Sequence, residues 1–106
     1  MTAAFTQTDR AGKVHKELLR NTVELVTGVS TTTREAIDDL SATLDVVRSV
    51  TDRLGVDLYG AGTHPFADWS AQKLTDAPRY AELIKRTQWW GRQMTIWGVH
   101  VHVGVS

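Results

Sequence analysis

Cysteine is absent from this chain, which removes disulfides, thiolate nucleophiles and cysteine-ligated zinc from consideration. Net charge is absent as well, because twelve Lys and Arg balance twelve Asp and Glu. A neutral chain carries no electrostatic footprint for nucleic acid or an anionic membrane surface, so neither is expected as a partner. The first residues, Met1 to Arg10, lack the basic start and apolar run of a signal peptide. The longest apolar uncharged stretch, Met94 to Ser106, is too short and too strand-like to span a bilayer. A cytoplasmic protein is the expectation. Within 106 residues, 42% hydrophobic and 23% charged, there is room for one ordinary globular domain.

What is present is order along the chain. Residues 1–12 are small and polar and read as a flexible segment ahead of a domain over 13–106. Val14, Leu18 and Leu19 fit one or two helical turns. Thr22 to Gly28 is short and β-branched and predicts a strand, with Val23 and Leu25 on one face and Glu24 and Val26 on the other. Thr32 and Glu35 fit a capping box, and Ile37, Leu40, Leu44, Val47 and Leu54 then predict a helix with one buried stripe, closed by Gly55. Val56 to Gly62 predicts a second strand. Thr75 or Asp76 caps a second long helix with Pro78 in its first turn, and Tyr80, Leu83, Ile84, Trp89 or Trp90, and Met94 supply its inner face. A final strand follows. By itself the order β-α-β-α-β fits parallel strands in an α/β unit, and periodicity does not separate that from α+β.

The final strand carries the densest chemistry. Side chains on a strand alternate between faces, so Trp97, Val99, Val101, Val103 and Val105 share an apolar face. His100 and His102 share the other, roughly 7 Å apart at their backbones, near enough to converge on one metal ion or anion. The plainer reading is a solvated polar face. Glu24 inside a β-branched strand is costly if that face is buried and ordinary if it is wet. His64 lies in the Gly62-Thr63-His64-Pro65-Phe66 turn, a lone loop histidine. Arg79-Tyr80 at a helix start suits an anion or a surface pair equally. Trp69, Trp89, Trp90 and Trp97 read as packing, and Arg34, Glu35, Asp38 and Asp39 with Lys85, Arg86 and Arg92 read as solvated helix faces.

Four pieces then stand in a familiar order: Thr22-Val-Glu-Leu-Val-Thr-Gly-Val29, Ala61-Gly-Thr-His-Pro-Phe66 with Trp69, Arg79-Tyr80, and Gly98-Val-His-Val-His-Val-Gly104. Together, from about Lys16 to Val105, they resemble the glutamate–cysteine ligase type 2 family, the carboxylate–amine ligases. The resemblance implies an α+β fold, part of a glutamine synthetase-like curved, largely antiparallel sheet with two long helices packed on one face. It implies an ATP-dependent reaction in which the γ-carboxylate of glutamate is phosphorylated and an amine, such as that of cysteine, displaces phosphate to form an amide. ATP and Mg2+ are the implied cofactors, and glutamate and the amine acceptor the implied small-molecule partners. By the same comparison Glu24 and His100 are metal ligands, His102 faces phosphate or substrate, and Thr63 and His64 border the substrate pocket.

The departures shape the expectation. Family members begin with a strand of paired glutamates, whereas Asp9 is the only acid before Lys13 here. They are also several times longer, so the chain corresponds to a piece of the N-terminal half. Lacking those carboxylates, Glu24 and His100 hold magnesium poorly, because its affinity rests on charged oxygens. The chain alone is expected to be an incomplete, inactive piece, with exposed sheet edges prone to self-association. The alternative is a non-enzymatic small α/β metal-binding module, using His100 and His102, or a folding remnant.

Overall fold

The structure, a computed structural model, describes residues 10–93 and 95–105. Residues 1–9 of the expected flexible segment, Met94 of the expected helix face and Ser106 lie outside those residues. The fold is mixed α+β: a two-stranded antiparallel sheet, one long helix and shorter helices. The chain divides into two units, one formed by residues 1–58 and 73–75, the other by 59–72 and 76–106.

In the first unit, β1 (Val14–Lys16) pairs with β2 (Val23–Leu25), with Val14 opposite Leu25, His15 opposite Glu24 and Lys16 opposite Val23. The helical turns expected around Val14 are therefore a strand followed by a turn. The spacing of Val14, Leu18 and Leu19 suits a helix, but β2 pairs with the backbone of Val14–Lys16 and residues 73–75 with that around Leu18 and Leu19, and all three side chains are still buried. Val26 N–H extends the ladder by donating to the Lys13 carbonyl at 2.9 Å. Residues 73–75 return to this unit: the Thr75 N–H donates to Leu18 O at 2.8 Å, the Arg20 N–H to Lys73 O at 2.9 Å, and Leu19 bridges Leu74 antiparallel. A connection through loops thus supplies partners that no local pattern announces.

The long helix α1 (Thr33–Leu54) begins and ends as its sequence requires. The Glu35 N–H donates to Thr32 Oγ1, the Glu35 carboxylate accepts from the Thr32 N–H, and Gly55 closes the helix in the left-handed region at φ 63°. Its buried face differs from the expected stripe. Thr43, Val47, Val50 and Thr51 are buried, whereas Ile37 is 49% and Leu54 53% exposed. The inner line is rotated because two threonines are admitted to it. Each hydroxyl is satisfied on its own helix, Thr43 Oγ1 donating to Asp39 O at 2.9 Å and Thr51 Oγ1 to Arg48 O at 3.1 Å. Val14, Val47 and Val50 form the core cluster, with Val23 and Leu25 packed against it.

In the second unit, α2 (Pro78–Thr87) has Pro78 in its first turn, as expected. Ala77 rather than Thr75 or Asp76 is its N-cap, with no side-chain hydrogen bond. The helix is not continued to Met94. Gln88 adopts φ 53°, its N–H donates to Ile84 O at 2.7 Å, and its side-chain amide donates to Lys85 O at 2.8 Å. A short α3 (Trp89–Arg92) follows, held so close to α2 that a Cβ at Gly91 would lie 1.9 Å from Thr87 Oγ1. Two long helices thus become one long and two short, and Trp89 and Trp90 are exposed rather than on an inner face.

The strands expected at residues 56–62 and 97–105 do not form ladders. Among the described residues their connections are a Thr63–Ile96 antiparallel bridge and a 2.8 Å bond from the Trp97 N–H to Gly62 O. Alternation specifies a face, but a strand also needs a neighbouring backbone edge. Among the described residues no such edge runs beside residues 98–105.

Candidate ligand-binding site

Each chemistry-bearing residue is placed by backbone features already described. In the second unit, the Gly62-Thr63-His64 turn is fastened to the root of the two-histidine segment. Thr63 Oγ1 donates to Thr95 O at 2.9 Å, beside the Thr63–Ile96 bridge and the Trp97–Gly62 bond. The His64 ring then sits among aromatics: edge-on to Phe66 at 4.7 Å between centroids, and 6.1 Å and 6.5 Å from Tyr59 and Trp97. Two residues more than thirty positions before the histidine pair in sequence are thereby fastened to the start of the segment that carries it.

The hydrogen bonds of His64 settle what its ring can do. Its Nδ1 accepts from the Ala67 N–H at 3.0 Å and, more weakly, from the Phe66 N–H at 3.4 Å. An accepting Nδ1 leaves the proton of the neutral ring on Nε2. In this tautomer Nε2 is a donor, suited to an anionic oxygen and unsuited to a metal ion. Thr63 is exposed beside it.

His100 and His102 are both exposed. The glycine next along the strand on their face leaves room for the imidazole, since a Cβ at Gly98 would stand 4.0 Å from His100 Nε2. Glu24 belongs to the first unit, at the centre of β2, where Val23 and Leu25 turn inward and Glu24 outward into solvent. Its wet face removes the cost of an unpaired charge. Its cross-strand neighbour His15 has Nε2 3.0 Å from Gly12 O.

Among the described residues, no group of three or more His, Asp or Glu side chains is placed to hold a metal ion. Magnesium takes a near-octahedral shell made mostly of oxygens. One exposed carboxylate and one imidazole, in separate units, are an incomplete donor set for it.

Of the two readings offered for Arg79-Tyr80, the structure shows a pair: Arg79 lies over the Tyr80 ring, 4.5 Å from its centroid, and its Nη2 donates to the Tyr80 hydroxyl. One feature escaped the sequence. Asp39, expected as solvated surface, is the centre of a polar knot. Its carboxylate accepts from Lys13 Nζ at 2.5 and 2.6 Å, from Arg10 Nη1 at 2.6 Å and from the Gly28 N–H at 2.9 Å. Arg10 Nη1 also donates to Thr43 Oγ1 at 3.0 Å. The Lys13 ammonium, the Gly28 N–H and the Arg10 guanidinium together hold the Asp39 carboxyl well below the usual carboxylate range. The knot ties the residues flanking the hairpin to α1, across sequence separations of 29, 26 and 11. Local spacing carries no trace of such distances.

The structure is a mixed α+β scaffold with imidazole, hydroxyl and carboxylate groups exposed on its turns and on β2. Residues 2–106 match the profile of Glutamate-cysteine ligase family 2 (GCS2), and the chain belongs to that family. It is 74% identical over 94 residues to a candidate glutamate–cysteine ligase 2-1 of Mycolicibacterium vanbaalenii, covering 89% of this chain and 25% of that protein. Similar proteins named as candidate glutamate–cysteine ligase 2 occur in Mycobacterium ulcerans (65% over 105 residues; 99% of this chain, 27% of that protein) and Mycobacterium tuberculosis (64% over 104; 98% and 28%). The chain spans about a quarter of the length of these relatives. No solved structure matches it. No helix among the described residues is long and apolar enough to cross a membrane.

Proposed function

We propose that this chain is a segment of an ATP-dependent carboxylate–amine ligase, joining the γ-carboxylate of glutamate to an amine such as that of cysteine through an acyl phosphate, within a glutamine synthetase-like sheet. The observation that carries the reading is the fastening of the Thr63-His64 turn to Thr95, Ile96 and Trp97, at the root of the His100–His102 segment. It gathers two of the motifs that mark the family. His64 Nε2–H and the Thr63 hydroxyl donate to substrate carboxylate or phosphate oxygens in this reading, and His102 lines the same pocket.

Glu24 and His100 each contribute a ligand to a magnesium centre whose remaining oxygens come from outside this chain. Magnesium there neutralises phosphate charge as it develops in phosphoryl transfer. The chain's own donor set is incomplete, so the polypeptide alone does not turn over.

The test exchanges residues 13–106 for the matching segment of the Mycolicibacterium vanbaalenii relative and follows glutamate-dependent ADP release. Glu24→Ala and His100→Ala should each raise the magnesium requirement at least ~10-fold, as loss of a metal's supporting groups does. His64→Ala should raise the KM for glutamate or ATP with the magnesium requirement unchanged. A magnesium dependence unmoved by both Glu24→Ala and His100→Ala refutes the ligand assignment.

A further inference from the structure

Glu24 does not stand alone on its face of the hairpin. β1 and β2 run antiparallel with His15 directly opposite Glu24. Directly opposed residues share a face, with Cβ atoms about 5 Å apart. The neighbouring pair turns the other way: Val14 is buried in the core cluster, and Leu25 packs against it. Alternation therefore turns His15 and Glu24 outward together. Whatever further chain covers that face meets the imidazole and the carboxylate side by side.

The His15 ring is oriented from within the first unit. Its Nε2 lies 3.0 Å from Gly12 O. A carbonyl only accepts, so Nε2 carries the proton of the neutral ring and Nδ1 keeps its lone pair. His64 has the opposite tautomer, with Nδ1 engaged by the Ala67 N–H. The Gly12 carbonyl is itself held in place. Gly12 belongs to the 3-10 turn Ala11–Lys13, where the Lys13 N–H donates to Arg10 O at 2.9 Å. Lys13 O accepts from the Val26 N–H at 2.9 Å, and Lys13 Nζ and the Gly28 N–H both donate to the Asp39 carboxylate. One side chain of α1 thus clamps the chain beside both strands at the open end of the hairpin, the end where the His15 tautomer is set.

One ring nitrogen donating to a backbone carbonyl, with the other left as an acceptor, is the arrangement that orients an imidazole at a metal site. Magnesium prefers oxygen and keeps several of its waters, so an added nitrogen acceptor suits a water on the ion better than the ion itself. We propose that His15 is a positioning residue of the magnesium centre, its Nδ1 accepting a hydrogen bond from a water carried by the ion that Glu24 binds. The proposal rests on the reading of Glu24 as a magnesium ligand and extends that centre to β1. Such a bond holds the hydrated ion against the Glu24 carboxylate when magnesium is scarce and adds nothing once the ion is saturating.

The test uses an exchange protein carrying residues 10–106 within the full-length Mycolicibacterium vanbaalenii relative, so that Arg10 and Gly12 come with the hairpin. Manganese is the probe, because it accepts the same oxygen-rich octahedral shell and its free form is counted by electron paramagnetic resonance without turnover. His15→Ala should weaken manganese binding about 10-fold. It should raise the magnesium requirement for ADP release by a similar factor, with the rate at saturating magnesium unchanged. His15→Asn places an amide oxygen near the position of Nδ1 and should restore most of the loss. His15→Gln places its oxygen near the position of Nε2 and should not, whereas a role in folding alone would treat the two amides alike. Manganese binding weakened by Glu24→Ala but not by His15→Ala overturns the proposal and leaves the ligase reading standing. Restoration by His15→Asn no better than by His15→Gln overturns it as well. Binding unmoved by Glu24→Ala overturns the ligand reading of Glu24 and the role of His15 with it.

Discussion

Val47→Ala and Val50→Ala, set against Ile37→Ala, test which face of α1 is the inner one. Val47 is 1% exposed and Val50 2%, and both meet Val14 in the core cluster beneath Val23 and Leu25. Truncation to Ala removes two methyl groups, about 0.8 kcal/mol each by transfer, and leaves a cavity that a helix-on-hairpin contact closes only in part. Alanine regains a few tenths of a kcal/mol in helix propensity. The net cost is about 2 kcal/mol, a large share of the stability of a chain this size. At about 4–8 °C per kcal/mol for a domain of this length, the melting temperature falls by roughly 10 °C. Urea denaturation followed by circular dichroism measures it, with Val50→Ala expected to match. Ile37→Ala is the control: at 49% exposure its loss stays within about 0.5 kcal/mol. A cost for Ile37→Ala equal to that for Val47→Ala would restore the stripe through Ile37, Leu40, Leu44, Val47 and Leu54, and refute the rotated face.

Asp39→Asn should weaken the first unit and flatten its acid response. The folded carboxyl is held below its ordinary value, so its contribution is fully present at neutral pH. That contribution falls away as pH drops below about 4, the unfolded value, towards the lower folded one. Acid titration by circular dichroism should therefore show a shallower loss below about pH 4 in the variant, and identical slopes would remove the knot from the stability of this unit. Gly91→Ala should disrupt the α2–α3 junction, because the new methyl meets Thr87 Oγ1 at 1.9 Å. Thr87→Ala in the same chain should restore the tryptophan fluorescence that Gly91→Ala alters, and no rescue would place the strain elsewhere. Thr32→Ala removes one half of the capping box and should cost about 1 kcal/mol in urea denaturation; an unchanged midpoint would count against the cap.

Features governed by residues within one turn of each other were legible. Thr32 with Glu35, Gly55 and Pro78 sit where local chemistry puts them, because caps and breaks answer to neighbours in sequence. The inward pair Val23 and Leu25 with Glu24 outward was legible for the same reason. What failed depended on partners far along the chain. Val14 became a strand only because β2 stands opposite it, and residues 97–105 formed no ladder because alternation names no neighbour. Thr43 and Thr51 were passed over as core because their hydroxyls look costly until bonded to Asp39 O and Arg48 O. In the site, Thr63 and His64 were readable as a turn, whereas their link to Thr95 and Trp97 depends on segments thirty residues apart.

The assignment proposed for His100 follows from one property of its setting. An imidazole that is exposed, beside a glycine and on a strand without a ladder, is not committed to any internal partner. Its ligand is then decided by whatever donors reach it. Carboxylate oxygens brought by further chain make a hard, magnesium-favouring shell. His64 differs in its chemistry: its Nδ1 is held by the Ala67 N–H, which leaves the proton of the neutral ring on Nε2.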